Sequence, residues 1–143
     1  GIIMKKLLAV STLGLFLTTS AFATSAKGLN VLVTSDNAQT QMMSMVLSMM
    51  TLKQNKKVNM VLCSKAGDLA LKNSKSETLK PMNKSPKMML KAIINKGASV
   101  KVCPLYLPNK NLQKTDLMSN ITVAKPMDVS KDLLNNDYKN LSY

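Results

Sequence analysis

The run Ser85-Pro86-Lys87-Met88-Met89-Leu90-Lys91-Ala92-Ile93-Ile94-Asn95-Lys96-Gly97-Ala98-Ser99-Val100-Lys101-Val102-Cys103-Pro104 spells out a helix, a stop and a strand. Ser85 is a residue type that caps helix amino termini, and Pro86 suits the first helical position, where no backbone N–H is needed. Met89, Leu90, Ile93 and Ile94 fall at helical spacing. Gly97 can take the left-handed conformation that closes the carboxyl end. Ser99 to Cys103 then reads as a short buried strand, ending in a thiol and a proline.

Working outward, the same alternation recurs. Leu29-Asn30-Val31-Leu32-Val33-Thr34 is a β-branched, apolar strand, followed by the turn residues Ser35-Asp36-Asn37. Ala38 to Lys53 contains no Gly or Pro and is rich in Met, Leu and Gln, which predicts a helix. Lys57 to Cys63 is a second strand, and Ala66 to Lys72 a short helix. Asn73 to Lys84 is polar, contains Pro81 and is expected to be a mobile loop. After the loop through Pro104 and Pro108, Leu112 to Met118 is expected to form a helical turn. Ile121 to Ala124 is a fourth strand, Pro126 opens a helix to about Leu134, and the Asn-rich end is expected to fray. This alternation predicts a single α/β domain with a mostly parallel sheet and helices on both faces. In such sheets ligands bind beyond the carboxyl ends of the strands, and both cysteines, Cys63 and Cys103, close predicted strands there.

The amino terminus reads as an address. Lys5-Lys6, an apolar run from Leu7 to Leu17 and the small-residue pattern Ala21-Phe22-Ala23 have the order of a secretory signal peptide. Gly1-Ile2-Ile3 precedes Met4 as a short extension. Residues 1–23 are therefore expected to be a signal peptide and 24–143 the mature domain, periplasmic or secreted. The apolar run is too short for a comfortable membrane span, so no stable membrane insertion is expected after cleavage.

Composition narrows the chemistry. The 143 residues include 20 basic ones, all Lys, against 7 acidic, for a net charge of +13, or +11 once Lys5 and Lys6 are removed. There is no His, Arg or Trp. Histidine-based catalysis and imidazole metal ligation are excluded, as are guanidinium clamps. Two cysteines cannot make a four-thiolate cluster, and no cofactor or metal site is expected from them. The lysines are scattered and aromatics few, which favours a solvated surface over a nucleic-acid partner.

Three readings of the cysteines stand open from the residues: a reactive or persulfide-carrying Cys103, an inert buried thiol, and a Cys63–Cys103 disulfide. Lys101 lies two residues before Cys103 and so shares its face of the strand. Lys65 and Lys110 are loop cations that could approach it. Met42, Met45, Met49 and Leu52 make one apolar stripe of the first helix; Met43, Val46, Leu47 and Met50 make a second. A helix apolar on most sides packs on two partners, here the sheet and a neighbouring subunit. The alternative is a Met-rich module binding Cu(I) through soft thioethers.

The Gly97-Ala98-Ser99-Val100-Lys101-Val102-Cys103-Pro104 core resembles the DsrE/DsrF-like family, and in particular its exported branch. Val31-Leu32-Val33-Thr34-Ser35-Asp36, Leu112-Gln113-Lys114-Thr115-Asp116-Leu117 and Ile121-Thr122-Val123-Ala124-Lys125-Pro126 continue the resemblance in order over nearly the whole mature chain. It implies a flavodoxin-like fold, assembly as homo-trimers or hexamers, and sulfur relay with a donor or acceptor protein, the protein acting as a carrier more than a turnover enzyme. It implies that Cys103 carries the sulfur; Thr34, Ser35, Asp36, Cys63, Lys101, Pro104 and the 64–84 segment are expected to surround it. Where the exported branch often has Cys-Pro-x-Cys, this sequence reads Cys103-Pro104-Leu105-Tyr106. A structural oligomer without activity is the remaining alternative.

Overall fold

The structure, a computed structural model, describes residues 24–143, so the expected signal peptide lies outside the described residues. Five strands, β1 (Gly28–Val33), β2 (Lys57–Leu62), β3 (Ser99–Val102), β4 (Ile121–Val123) and β5 (Tyr138–Ser142), form one parallel sheet in the order β4-β3-β2-β1-β5. Between them lie the helices α1 (Ala38–Lys53), α2 (Pro86–Asn95), the short α3 (Tyr106–Asn109) and α4 (Pro126–Leu133). Two 3₁₀ turns, Ser64–Ala70 and Lys114–Asp116, complete the chain.

Chirality explains the layering. From β1 to β4 the chain steps one strand at a time in one direction, so right-handed crossovers stack α1 and α2 on one face. From β4 it returns across the sheet to β5, beside β1. That reversal puts α4 on the opposite face, where the Asn30 side chain reaches the Asp132 carbonyl at its end.

The α1/α2 face is the dry one. Val31, Val33, Val58, Met60, Leu62, Val100 and Val102 alternate into it and pack on Met45, Leu90 and Ile93, all essentially inaccessible to solvent. Fully burying each large side chain is worth roughly 1.5–3 kcal/mol. Ser44 and Ser48 are buried on α1, and their hydroxyls donate to the Gln41 and Ser44 carbonyls at 2.7 Å. Met42, Met45 and Leu52 are buried and Met49 packs against the core, whereas Met43, Leu47 and Met50 of the second stripe are exposed.

The caps follow the local chemistry. Asn37 Oδ1 accepts from Thr40 N at 3.0 Å to start α1. Ser85 Oγ accepts from Met88 N at 3.2 Å to start α2, with Pro86 in its first turn. Gly97, at φ +106°, makes the left-handed turn into β3 that a side chain would strain.

Three expectations are corrected. The Asn-rich end does not fray: it forms β5, parallel to β1. The short helix expected over 66–72 is a 3₁₀ turn starting at Ser64. The start of the polar loop of 73–84 is tethered rather than free, because Lys87 is buried beneath it. Its ammonium donates to the carbonyls of Leu71, Lys72 and Ser74 and to Ser74 Oγ. Among the described residues no helix is long and apolar enough to cross a membrane.

Candidate functional site

Cys63 and Cys103 each follow directly on a strand, β2 and β3. These strands are neighbours, with Leu62 opposite Val102, and the Cys103 N–H donates to the Leu62 carbonyl at 2.9 Å. The register therefore sets the two cysteines side by side. Leu62 and Val102 point into the α1/α2 core, so the alternating cysteines point to the α4 face. Both are free, half-buried thiols, placed next to each other by the register of β2 and β3. Burial pushes the Cys63 thiol well above its ordinary value, and the neighbouring Cys103 pushes the same way. Cys63 is thus a thiol that holds its proton near neutral pH.

Cys103 stands on the wall between two clefts. The larger, about 620 Å³, opens between the strand ends and α4; Leu32, Val61, Pro126, Val129 and Leu133 line it together with both cysteines. Pro104 and the exposed Leu105 form part of its rim. The smaller, about 350 Å³, lies on the other side, with Ser64, Lys65, Tyr106 and Lys110 around Cys103.

The second cleft is built on Tyr106. Its backbone N–H donates to the Cys103 carbonyl at 3.0 Å, which turns the chain back after the cysteine. Its ring lies flat on Gly67, where a Cβ would overlap the ring atoms. Its hydroxyl donates to Asp68 Oδ1, the same oxygen that pairs with Lys110 Nζ at 3.3 Å. Lys110 also sits 5.9 Å from the Tyr106 ring centroid. Burial, reinforced by the Asp68 carboxylate, holds the Tyr106 phenol well above its usual range.

The other expected site residues are placed differently. Lys101 faces the same side of β3 as Cys103 but lines neither cleft. Thr34, Ser35 and Asp36 follow β1, one strand beyond Cys63, and line neither cleft. Thr34 instead bonds the Tyr143 carbonyl through its N–H and its hydroxyl, at 2.8 and 2.9 Å. Ser35 accepts from Gln41 and Asn37 at the start of α1. Of the 64–84 segment, only Ser64 and Lys65 reach the second cleft. Sequence reasoning did not single out the α4 wall, Val129 and Leu133, nor the Tyr106–Gly67–Asp68 unit. The signals of that unit in the sequence are the departure at Tyr106 from Cys-Pro-x-Cys and the position of Asp68 at a predicted strand–helix junction.

Solved structures share this architecture. The YchN protein from E. coli superposes with a TM-score of 0.67, at 17% identity, over 82% of this chain and 99% of that one. The fold is the flavodoxin-like fold of the DsrE type. MTH1491 from Methanobacterium thermoautotrophicum, a protein of unknown function, has the same fold at a TM-score of 0.61 and 9% identity, covering 81% of this chain and 98% of its own. BT1422 from Bacteroides thetaiotaomicron, also of unknown function, superposes at 0.58 with 18% identity, over 82% and 95%. No protein-family model matches this chain, and no curated protein matches it by sequence. In this DsrE-type sheet the two thiols occupy the carboxyl ends of the two inner strands flanked by β1 and β4.

Proposed function

We propose that this protein carries sulfane sulfur on Cys103, as a sulfur-relay or sulfur-compound-binding protein of the exported DsrE-like branch. The observation that carries the reading is the pair of free thiols, Cys63 beside Cys103, at the carboxyl ends of adjacent inner strands and open to a cleft. In parallel α/β sheets that end is where ligands are met.

The step is a transpersulfidation. The Cys103 thiolate attacks the terminal sulfur of a persulfide R–S–S–H. The donor S–S bond breaks, R–S⁻ leaves and takes a proton from water, and Cys103 becomes Cys103–S–S–H. No external oxidant or reductant is consumed. Transfer to an acceptor thiolate is the same exchange in reverse. Cys63 acts as a positioning residue: its thiol stands beside the Cys103 sulfur at the end of the neighbouring strand. With no His or Arg in the chain, Lys65 and Lys110 are the cations that the cleft around Cys103 offers a thiolate.

In this reading residues 1–23 direct export, the mature protein works in the periplasm or outside the cell, and it assembles as a homo-oligomer. The exposed Met43, Leu47 and Met50 stripe of α1 supports the last point. The protein hands sulfur between a donor and an acceptor and is more carrier than turnover enzyme.

Intact mass after incubation with a persulfide donor tests the reading. A gain of about one sulfur, roughly 32 Da, that reductant removes is expected for the wild type and for Cys63→Ala, and none for Cys103→Ser. Loss of the adduct in Cys63→Ala but not in Cys103→Ser would overturn it.

A further inference from the structure

Building on the sulfur-carrier reading, we infer that the sulfur-bearing ligand is an organic persulfide with an apolar body, which lies in the cleft between the β2 and β3 ends and α4, and not a charged persulfide or a sulfur oxyanion. Cys103 borders two clefts, one with no charged residue in its lining and one with two lysines, and that difference carries the inference. The larger is walled by Leu32, Val61, Pro126, Val129 and Leu133, and no charged side chain lines it. Its reactive groups are the two thiols themselves. Lys65 and Lys110, the cations that an oxyanion would need, lie around the other cleft, where Asp68 pairs with Lys110.

Volume and chemistry agree. A cleft of about 620 Å³ falls within the range of small-molecule sites, which are mostly apolar with a few placed reactive or polar groups. An ionised head group would lose its hydration against Val61, Val129 and Leu133 with no partner in return. An apolar body gains by leaving water, and its terminal sulfur meets the thiols at the wall. The exchange is the balanced one given above: the R–S–S–H bond to the outer sulfur breaks, that sulfur joins Cys103, and R–S⁻ leaves, here with an apolar R held in the cleft.

Loading rates with two donors of equal sulfur chemistry decide it. Benzyl hydropersulfide and cysteine hydropersulfide are each released in solution from protected precursors, and the adduct on Cys103 is followed by intact mass. The rate ratio is normalised to the ratio measured on a free thiol in water. A normalised preference of about tenfold for the benzyl donor is expected, the magnitude of burying a few carbons of apolar surface. In Val129→Glu the preference should vanish while loading from the cysteine donor persists. Leu133→Lys, at a position already 39% exposed, repeats the test if Val129→Glu does not fold. A normalised ratio near one, with both donors loading, would overturn the inference and leave the sulfur-carrier reading standing. Loading by neither donor would remove both. Sedimentation of the same variants covers the other occupant of such a cleft: conversion of an oligomer to monomer by Val129→Glu would assign the cleft to a second copy of the chain and overturn the inference.

Discussion

At the residue scale, Tyr106 shows how one substitution in a motif reshapes a site. The side chain at this position is buried against Gly67 and bonded to Asp68, so the turn after Cys103 is fixed by packing. Gly67→Ala puts a methyl group into the ring, and overpacking of this kind costs about 1–3 kcal/mol. Tyr106→Phe keeps the ring and loses the hydrogen bond, a cost of about 1 kcal/mol near neutral pH. The pH dependence has a definite sign. Below the ordinary tyrosine value of 10.0 both folded and unfolded chains hold the phenol proton. Above it the unfolded chain releases the proton while the folded chain, with its raised value, retains it. The Tyr106 contribution is therefore complete below pH 10.0 and is lost as pH rises further. Urea unfolding at about pH 8 and about pH 11 should show the gap between wild type and Tyr106→Phe closing at the higher pH. A gap that widens would contradict the Asp68 bond.

At the element scale, what could be read from the residues tracks burial. β1 to β3 are inner parallel strands, which appear as apolar, β-branched runs, and β4, the other edge, keeps the β-branched run Ile121-Thr122-Val123. α1 was bounded by its composition, and α2 by Ser85, Pro86 and Gly97. β5 was missed because Tyr138-Lys139-Asn140-Leu141-Ser142 is an edge strand with polar residues on both faces. Its Asn140 side chain accepts from Asn30 at 3.0 Å, a pairing of residues 110 apart that no local pattern announces. The site divides in the same way. The cysteines at the strand ends were legible, but their adjacency depended on strand order. Lys87 is a further case: on sequence it looks like a solvated lysine in the first turn of α2. In the fold its ammonium holds the start of the 73–84 segment through three carbonyls and a hydroxyl. Lys87→Met keeps the length and strands those acceptors, for a loss on the order of 2 kcal/mol. Amide exchange at residues 72–76 should rise with it, and unchanged exchange there would show that the tether is not what orders the segment.

At the scale of the whole molecule, charge and exposed apolar surface pull in opposite directions. Residues 24–143 carry a net charge of +11, which keeps copies apart at low ionic strength. Against this, α1 turns Met43, Leu47 and Met50 outward at spacings of four and three, one continuous apolar stripe on the face away from the sheet. Self-association through this stripe must overcome like-charge repulsion, so it should strengthen as salt screens the lysines, within a Debye length of about 10 Å at 0.1 M. Leu47 sits at the centre of the stripe and is 40% exposed, so Leu47→Lys adds a charge where the copies would meet without disturbing the core behind it. Sedimentation velocity should show wild type assembling with rising protein and salt, and Leu47→Lys remaining monomeric throughout. Val129→Glu, on the opposite face of the sheet, should assemble as wild type does. A wild-type chain that stays monomeric at every salt concentration would leave the stripe without a partner and rule out the oligomer proposed here.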